Sequence, residues 1–130
     1  MRVYLASTAD ELQEFLTEKV LDINEVYAPT PTYSAAHPEM DEEELEYSLS
    51  LLAAEDSLEL MDDQSGAALV LAFEVPQEML GAFDEVSATL TAPIHWSMVE
   101  AIFLVGEDSE DLTWFAPQEA QSSIDEWMRG

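Results

Sequence analysis

No lysine or arginine occurs between Val20 and Met128, and cysteine is missing from the chain altogether. The missing thiols exclude disulfides, thiolate zinc sites and a cysteine nucleophile. The missing cations leave 29 carboxylates facing only Arg2, Lys19 and Arg129, with His37 and His95 neutral, so the formal net charge is -26 on 130 residues. Direct nucleic-acid binding is disfavoured, because affinity for phosphate rests on lysine and arginine neutralising it. Anionic membranes repel the chain for the same reason. No apolar run approaches the roughly 18 residues of a membrane span. The opening Met-Arg-Val-Tyr-Leu-Ala-Ser lacks the layout of a secretory signal, and a cytoplasmic protein is expected.

Apolar material is plentiful by contrast. At 48% hydrophobic residues the chain can build one real core, and its length suits a single domain over residues 1–130. That content argues against disorder despite a self-repulsion that opposes compaction.

Arg2 to Ala6 reads as a strand, and Ser7 followed by Asp10 has the spacing of a capping-box variant. From Thr8 to Val20, Leu12, Phe15, Leu16 and Val20 recur at helical spacing opposite Glu11, Glu14 and Glu18. Asn24 to Pro38, with three prolines, reads as an extended connection anchored by Tyr27, Tyr33 and His37. A long helix is expected from Glu39 to Met61, its first turn rich in acids that suit the positive end of the helix dipole. Its wheel has two apolar sides, Leu45, Leu49, Leu52 and Leu60 on one and Tyr47, Leu51, Ala54, Leu58 and Met61 on the other. Either the second side meets a partner or more of the domain, or the helix breaks near Ala53-Ala54-Glu55. After a turn at 62–66 come a buried strand over 67–73, a short helical piece over 77–82 and a strand over 86–91. A turn at 93–97, a buried strand over 100–105, an acidic hairpin tip at 106–111 and a strand over 112–115 follow. Pro117 opens a last helix through Ile124 and Trp127. The order predicts an α+β domain with a mostly antiparallel sheet of four to five strands and about three helices packed on one face.

Four segments carry a family likeness: Met-Arg-Val-Tyr-Leu-Ala at the start, Asp-Glu-Glu-Glu-Leu-Glu-Tyr at 41–47, the strand over 67–75 ending in Val-Pro, and Leu-Thr-Trp-Phe-Ala-Pro-Gln-Glu at 112–119. In these the chain resembles an uncharacterised family of small acidic actinobacterial proteins, a domain of unknown function. The resemblance implies no activity and no site.

Residues 39–63 contain eleven acids over what would be about 37 Å of straight helix at about 1.5 Å per residue. One strand of DNA presents a similar number of charges over that length, at about 3.4 Å each. The acids fall in two clusters, however, with none between Tyr47 and Ala54, and Glu55, Asp56, Glu59, Asp62 and Asp63 crowd the negative end of the dipole. Three readings compete: a solvated face that maintains solubility or adapts the protein to salt, a surface that engages a basic partner, and a carboxylate site for a metal or acid–base chemistry. The acidic loops 62–66 and 106–111 lack EF-hand spacing, and no nucleophile elbow, phosphate loop or zinc signature is present. We therefore expect a non-enzymatic protein without cofactor or dedicated metal, binding the basic surface of a nucleic-acid-binding protein by charge mimicry. The expected contacts are Asp41, Glu42, Glu43, Glu44, Glu46, Glu55, Asp56 and Glu59, with Trp127 as an exposed aromatic anchor. The alternative is a small carboxylate-rich metal-binding protein or metal-dependent hydrolase.

Overall fold

In the computed structural model of the chain, residues 1–61, 66–108 and 110–129 are described. The elements are β1 (Arg2–Thr8), α1 (Ala9–Glu18), β2 (Val20–Leu21), β3 (Glu25–Tyr27), α2 (Pro31–Ala36), α3 (Glu42–Leu60), β4 (Ala68–Glu74), β5 (Leu80–Phe83), β6 (Ser87–Leu90), β7 (Ile94–His95), β8 (Val99–Val105), β9 (Leu112–Phe115) and α4 (Ala120–Arg129). Short 3₁₀ turns precede β5, β8 and α4. Seven strands form one antiparallel sheet in the order β5-β6-β3-β1-β4-β8-β9, and β2 pairs with β7 in a separate ribbon.

The α+β class and the antiparallel sheet hold, but the sheet has seven strands and its helices lie on both faces. The reason is written in β4. Its Ala-Leu-Val-Leu-Ala-Phe run has no polar face, so both sides must be covered. Leu69, Leu71 and Phe73 point to a core shared with Leu12 and Phe15 of α1 and with Ile124 and Trp127 of α4. Ala68, Val70 and Ala72 point the other way, into a second core beneath α3. A sheet with helices on one face only would leave three of these residues in water.

The second core sets small groups around Leu49 of α3 and Tyr4, Val70 and Val105 of the sheet. α3 presents Ser50, Ala53, Ala54 and Ser57 to a sheet surface that includes Ala68, Ala72 and Ala101. Short side chains on both sides let the helix axis lie close to β1, β4 and β8. The hydroxyls of Ser50 and Ser57 are satisfied internally by the carbonyls of Tyr47 and Ala54. α3 runs unbroken through Ala53-Ala54-Glu55. It begins three residues later than expected, because Asp41 caps it: the Glu44 amide donates to Asp41 Oδ1 at 2.8 Å and the Asp41 amide donates to Glu44 Oε1 at 3.4 Å. Thr8 rather than Ser7 caps α1, accepting from the Glu11 amide at 3.2 Å.

Trp127 is not an exposed anchor. It is 4% exposed, stacked edge-to-face on Phe115 with ring centroids 5.1 Å apart. The helical spacing Ala120, Ile124, Trp127 puts it on the buried face of α4. The exposed tryptophan is Trp114, 56% accessible on the edge strand β9. Trp127→Ala should therefore cost about 3–5 kcal/mol of stability, whereas Trp114→Ala should change it by no more than about 0.5 kcal/mol. Urea unfolding midpoints of the two variants check the assignment; equal effects would contradict it.

Candidate functional site

Along α3, residues 43, 47, 51, 55 and 59 follow one another at four-residue spacing and form one row, which winds about 160° around the helix from first to last and holds none of its buried residues. They are Glu43, Tyr47, Leu51, Glu55 and Glu59, an acidic–apolar–acidic sequence about 24 Å long at about 1.5 Å per residue. Tyr47 is 56% exposed and Leu51 half-buried. The apolar side expected to face a partner is narrower than the wheel suggests. Ala54 is buried, and Leu58 and Met61 pack against the second core, leaving Tyr47 and Leu51 outermost.

Of the eight carboxylates expected to make contacts, six are exposed: Asp41, Glu42, Glu43, Glu44, Glu55 and Glu59. None of the eight makes an ion pair among the described residues, where the Met1 ammonium pairs with Glu74 at 2.9 Å and His37 Nδ1 lies 3.6 Å from Glu39. Asp41 and Glu44 are joined in the α3 cap, and the other exposed acids bear on solvent. Two of the chain's cations are turned to aromatic faces, Arg2 5.8 Å above the Tyr4 ring and Lys19 5.8 Å above the Trp96 ring.

Glu46 and Asp56 turn inward. Burial pushes the Glu46 carboxyl above the ordinary glutamate value; Arg2 pulls it down, and Glu42, Glu74 and Glu43 push it further up. Asp56 accepts a hydrogen bond from the Tyr27 hydroxyl. Tyr27 titrates above the ordinary tyrosine value, through burial first, then that hydrogen bond and the charges of Asp56, Glu55 and Glu25.

This pair closes one side of a cleft of about 290 Å³. The cleft is a step: α3 lies over β1, β4 and β8, and beyond its flank the same sheet face continues across β3 and β6. Tyr4 and Tyr27 are direct cross-strand partners there. Two residues along the same antiparallel pair, the alternation sets Ala6 beside Glu25, and the small side chains of Ala6 and Ser87 leave the space open. Burial raises the Tyr4 hydroxyl to about 12, with Arg2 opposing and Glu46 adding to the rise. A second hollow of about 450 Å³, among Met1, Pro29, Pro31, Gln77, Leu80 and Phe83, is lined by no charged side chain, and the Met1 ammonium at its edge is paired with Glu74.

Sequence reading overlooked Tyr4 and Glu25, and valued Tyr27 only as a loop anchor. The pairing of β3 with β1 that joins them spans more than twenty residues and leaves no local pattern. No group of three or more His, Asp or Glu is placed to hold a metal among the described residues. Most of the 62–66 loop, and Ser109 of the 106–111 tip, lie outside them.

The raised carboxyl of Glu46 has a signed consequence. A carboxyl whose folded pKa exceeds its unfolded one contributes stability that is complete below the unfolded value and is lost as pH rises through the folded value. Glu46→Gln should accordingly raise the urea midpoint at pH 7.5, and the gap from the parent should close toward pH 4. A variant less stable than the parent at pH 7.5 would show that attraction to Arg2 outweighs burial.

No helix among the described residues is long and apolar enough to cross a membrane. Comparison with curated proteins and with solved structures gave no match. Residues 1–111, which include every element bordering the cleft and the whole of α3, match the sequence model of DUF6912. The chain belongs to this family of unknown function (DUF6912).

Proposed function

We propose that the protein is a non-enzymatic binding module that engages a positively charged macromolecular surface through the outward ridge of α3. The single observation that carries this reading is the ridge itself: Glu43, Tyr47, Leu51, Glu55 and Glu59 in one winding row, all but Leu51 exposed, with none of its carboxylates ion-paired among the described residues. Carboxylates at both ends supply long-range attraction to cations, raising association rates by about 10- to 1000-fold at low salt. Tyr47 and Leu51 between them supply apolar contact that slows dissociation. A face kept acidic for solubility alone has no need of an exposed tyrosine beside a leucine in its middle. Nucleic-acid-binding proteins are the partner class proposed, since the lysine and arginine surfaces that neutralise phosphate offer the cations such acids attract. Competition with nucleic acid for that surface would regulate the partner.

The test is affinity capture from a native lysate at low salt, with the retained proteins identified and eluted along a salt gradient. Basic nucleic-acid-binding proteins should be retained and released at moderate salt, and should be lost when Glu43, Glu44, Glu55 and Glu59 are changed to Lys. Retention of the same set by the charge-reversed chain would sink the reading, as would retention indifferent to salt.

A further inference from the structure

We propose that the cleft bounded by Tyr4, Ala6, Glu25, Tyr27, Asp56 and Ser87 is a receptor for one guanidinium group, carried by an arginine side chain or by a free alkylguanidine. The proposal rests on the reading above only for the source of that group, since a basic partner docked on the adjoining ridge would deliver an arginine to it.

Size comes first. At about 290 Å³ the cleft lies at the lower limit of about 300 Å³ for small-molecule pockets, so it suits a single side-chain-sized group better than a cofactor. Its chemistry is that of a cation site with flat walls. The Tyr27 hydroxyl donates to Asp56, fixing the orientation of that carboxylate and leaving it capacity to accept more. Glu25 stands two residues before Tyr27 on the same face of β3, so a second carboxylate flanks the tyrosine ring. Carboxylates beside an aromatic surface favour guanidinium over ammonium. Guanidinium is planar and weakly hydrated, it forks onto a carboxylate and it stacks on a ring, whereas a compact ammonium keeps its water.

The protein already contains an instance of this pairing. Arg2, two residues before Tyr4 and on the same sheet face, holds its guanidinium carbon 5.8 Å over the Tyr4 ring. The cross-strand tyrosine pair thus carries a guanidinium at its Arg2 end and borders the carboxylate-flanked cleft at the other. Lys19 lies over Trp96, and Arg129 is on α4 across the sheet, so neither occupies the site.

Calorimetric titration of the full chain at low salt, using N-methylguanidine, the amide of Gly-Arg-Gly and butylamine as probes, tests the proposal. Both guanidines should saturate at one per chain. Asp56→Asn should weaken them at least tenfold. Ala6→Leu, which fills the cleft floor without touching charge, should do the same, and Glu126→Gln, exposed on α4 across the sheet, should weaken them less than twofold. Tighter binding of the tripeptide assigns the site to a partner's arginine, and equal binding assigns it to a free guanidine. No saturation, butylamine binding as tightly as methylguanidine, or equal losses from Glu126→Gln and Asp56→Asn would overturn the proposal in favour of diffuse attraction. Capture of basic proteins that persists while guanidine binding fails would sink this inference and leave the ridge reading standing.

Discussion

Close packing of small side chains between α3 and the central strands sets the rest of the surface. Ser50, Ala53, Ala54 and Ser57 meet Ala68, Ala72 and Ala101, so the helix rests low on the sheet and turns its remaining positions outward or to its flank. Glu43, Tyr47, Leu51, Glu55 and Glu59 follow one winding row outside the buried face. Asp56 goes to the flank, where Tyr27 meets it. The cleft and the ridge are therefore two consequences of one interface.

Charge works against this arrangement and must be tolerated by it. Glu59 lies in the last turn of α3, where there is no basic residue, and is opposed by the helix dipole at about 0.3–1 kcal/mol at low salt, with Glu55 and Asp56 one turn before it. Domain stability as a whole is about 5–15 kcal/mol. Helix stability alone does not account for acids at that end. The apolar cores on both sheet faces supply the stability that permits them, with β4 buried on each side from Ala68 to Phe73.

How much of this was legible in the sequence follows from how local each signal is. β1, β4, β8, β9, α1, α3 and α4 each announce themselves by a continuous apolar run or a helical period, and all are present. β3 and β5 were read as an extended connection and a helical piece. They are three and four residues long, and each is defined by partners far away in the chain. The helices were expected on one face because an antiparallel sheet commonly has a wet side, yet the unbroken apolar run of β4 already denied it one. Trp127 lies near the chain end, where an exposed anchor is expected, but its spacing from Ala120 and Ile124 marks it as core. The carboxylates of α3 were legible as a set, but their division into six outward and two inward groups depends on tertiary partners, Arg2 and Tyr27, that no wheel displays.

Placement of charge, as opposed to its amount, is the central claim, and two chains of identical net charge separate the two. In one, Glu43, Glu44, Glu55 and Glu59 become Gln; in the other, Glu100, Glu107, Glu110 and Glu126 do, all exposed and away from α3. Affinity for the basic proteins retained by the parent, measured at one fixed low ionic strength, should fall at least tenfold for the first chain and less than threefold for the second. Equal losses in the two chains would show that total charge alone governs association, and would contradict the account.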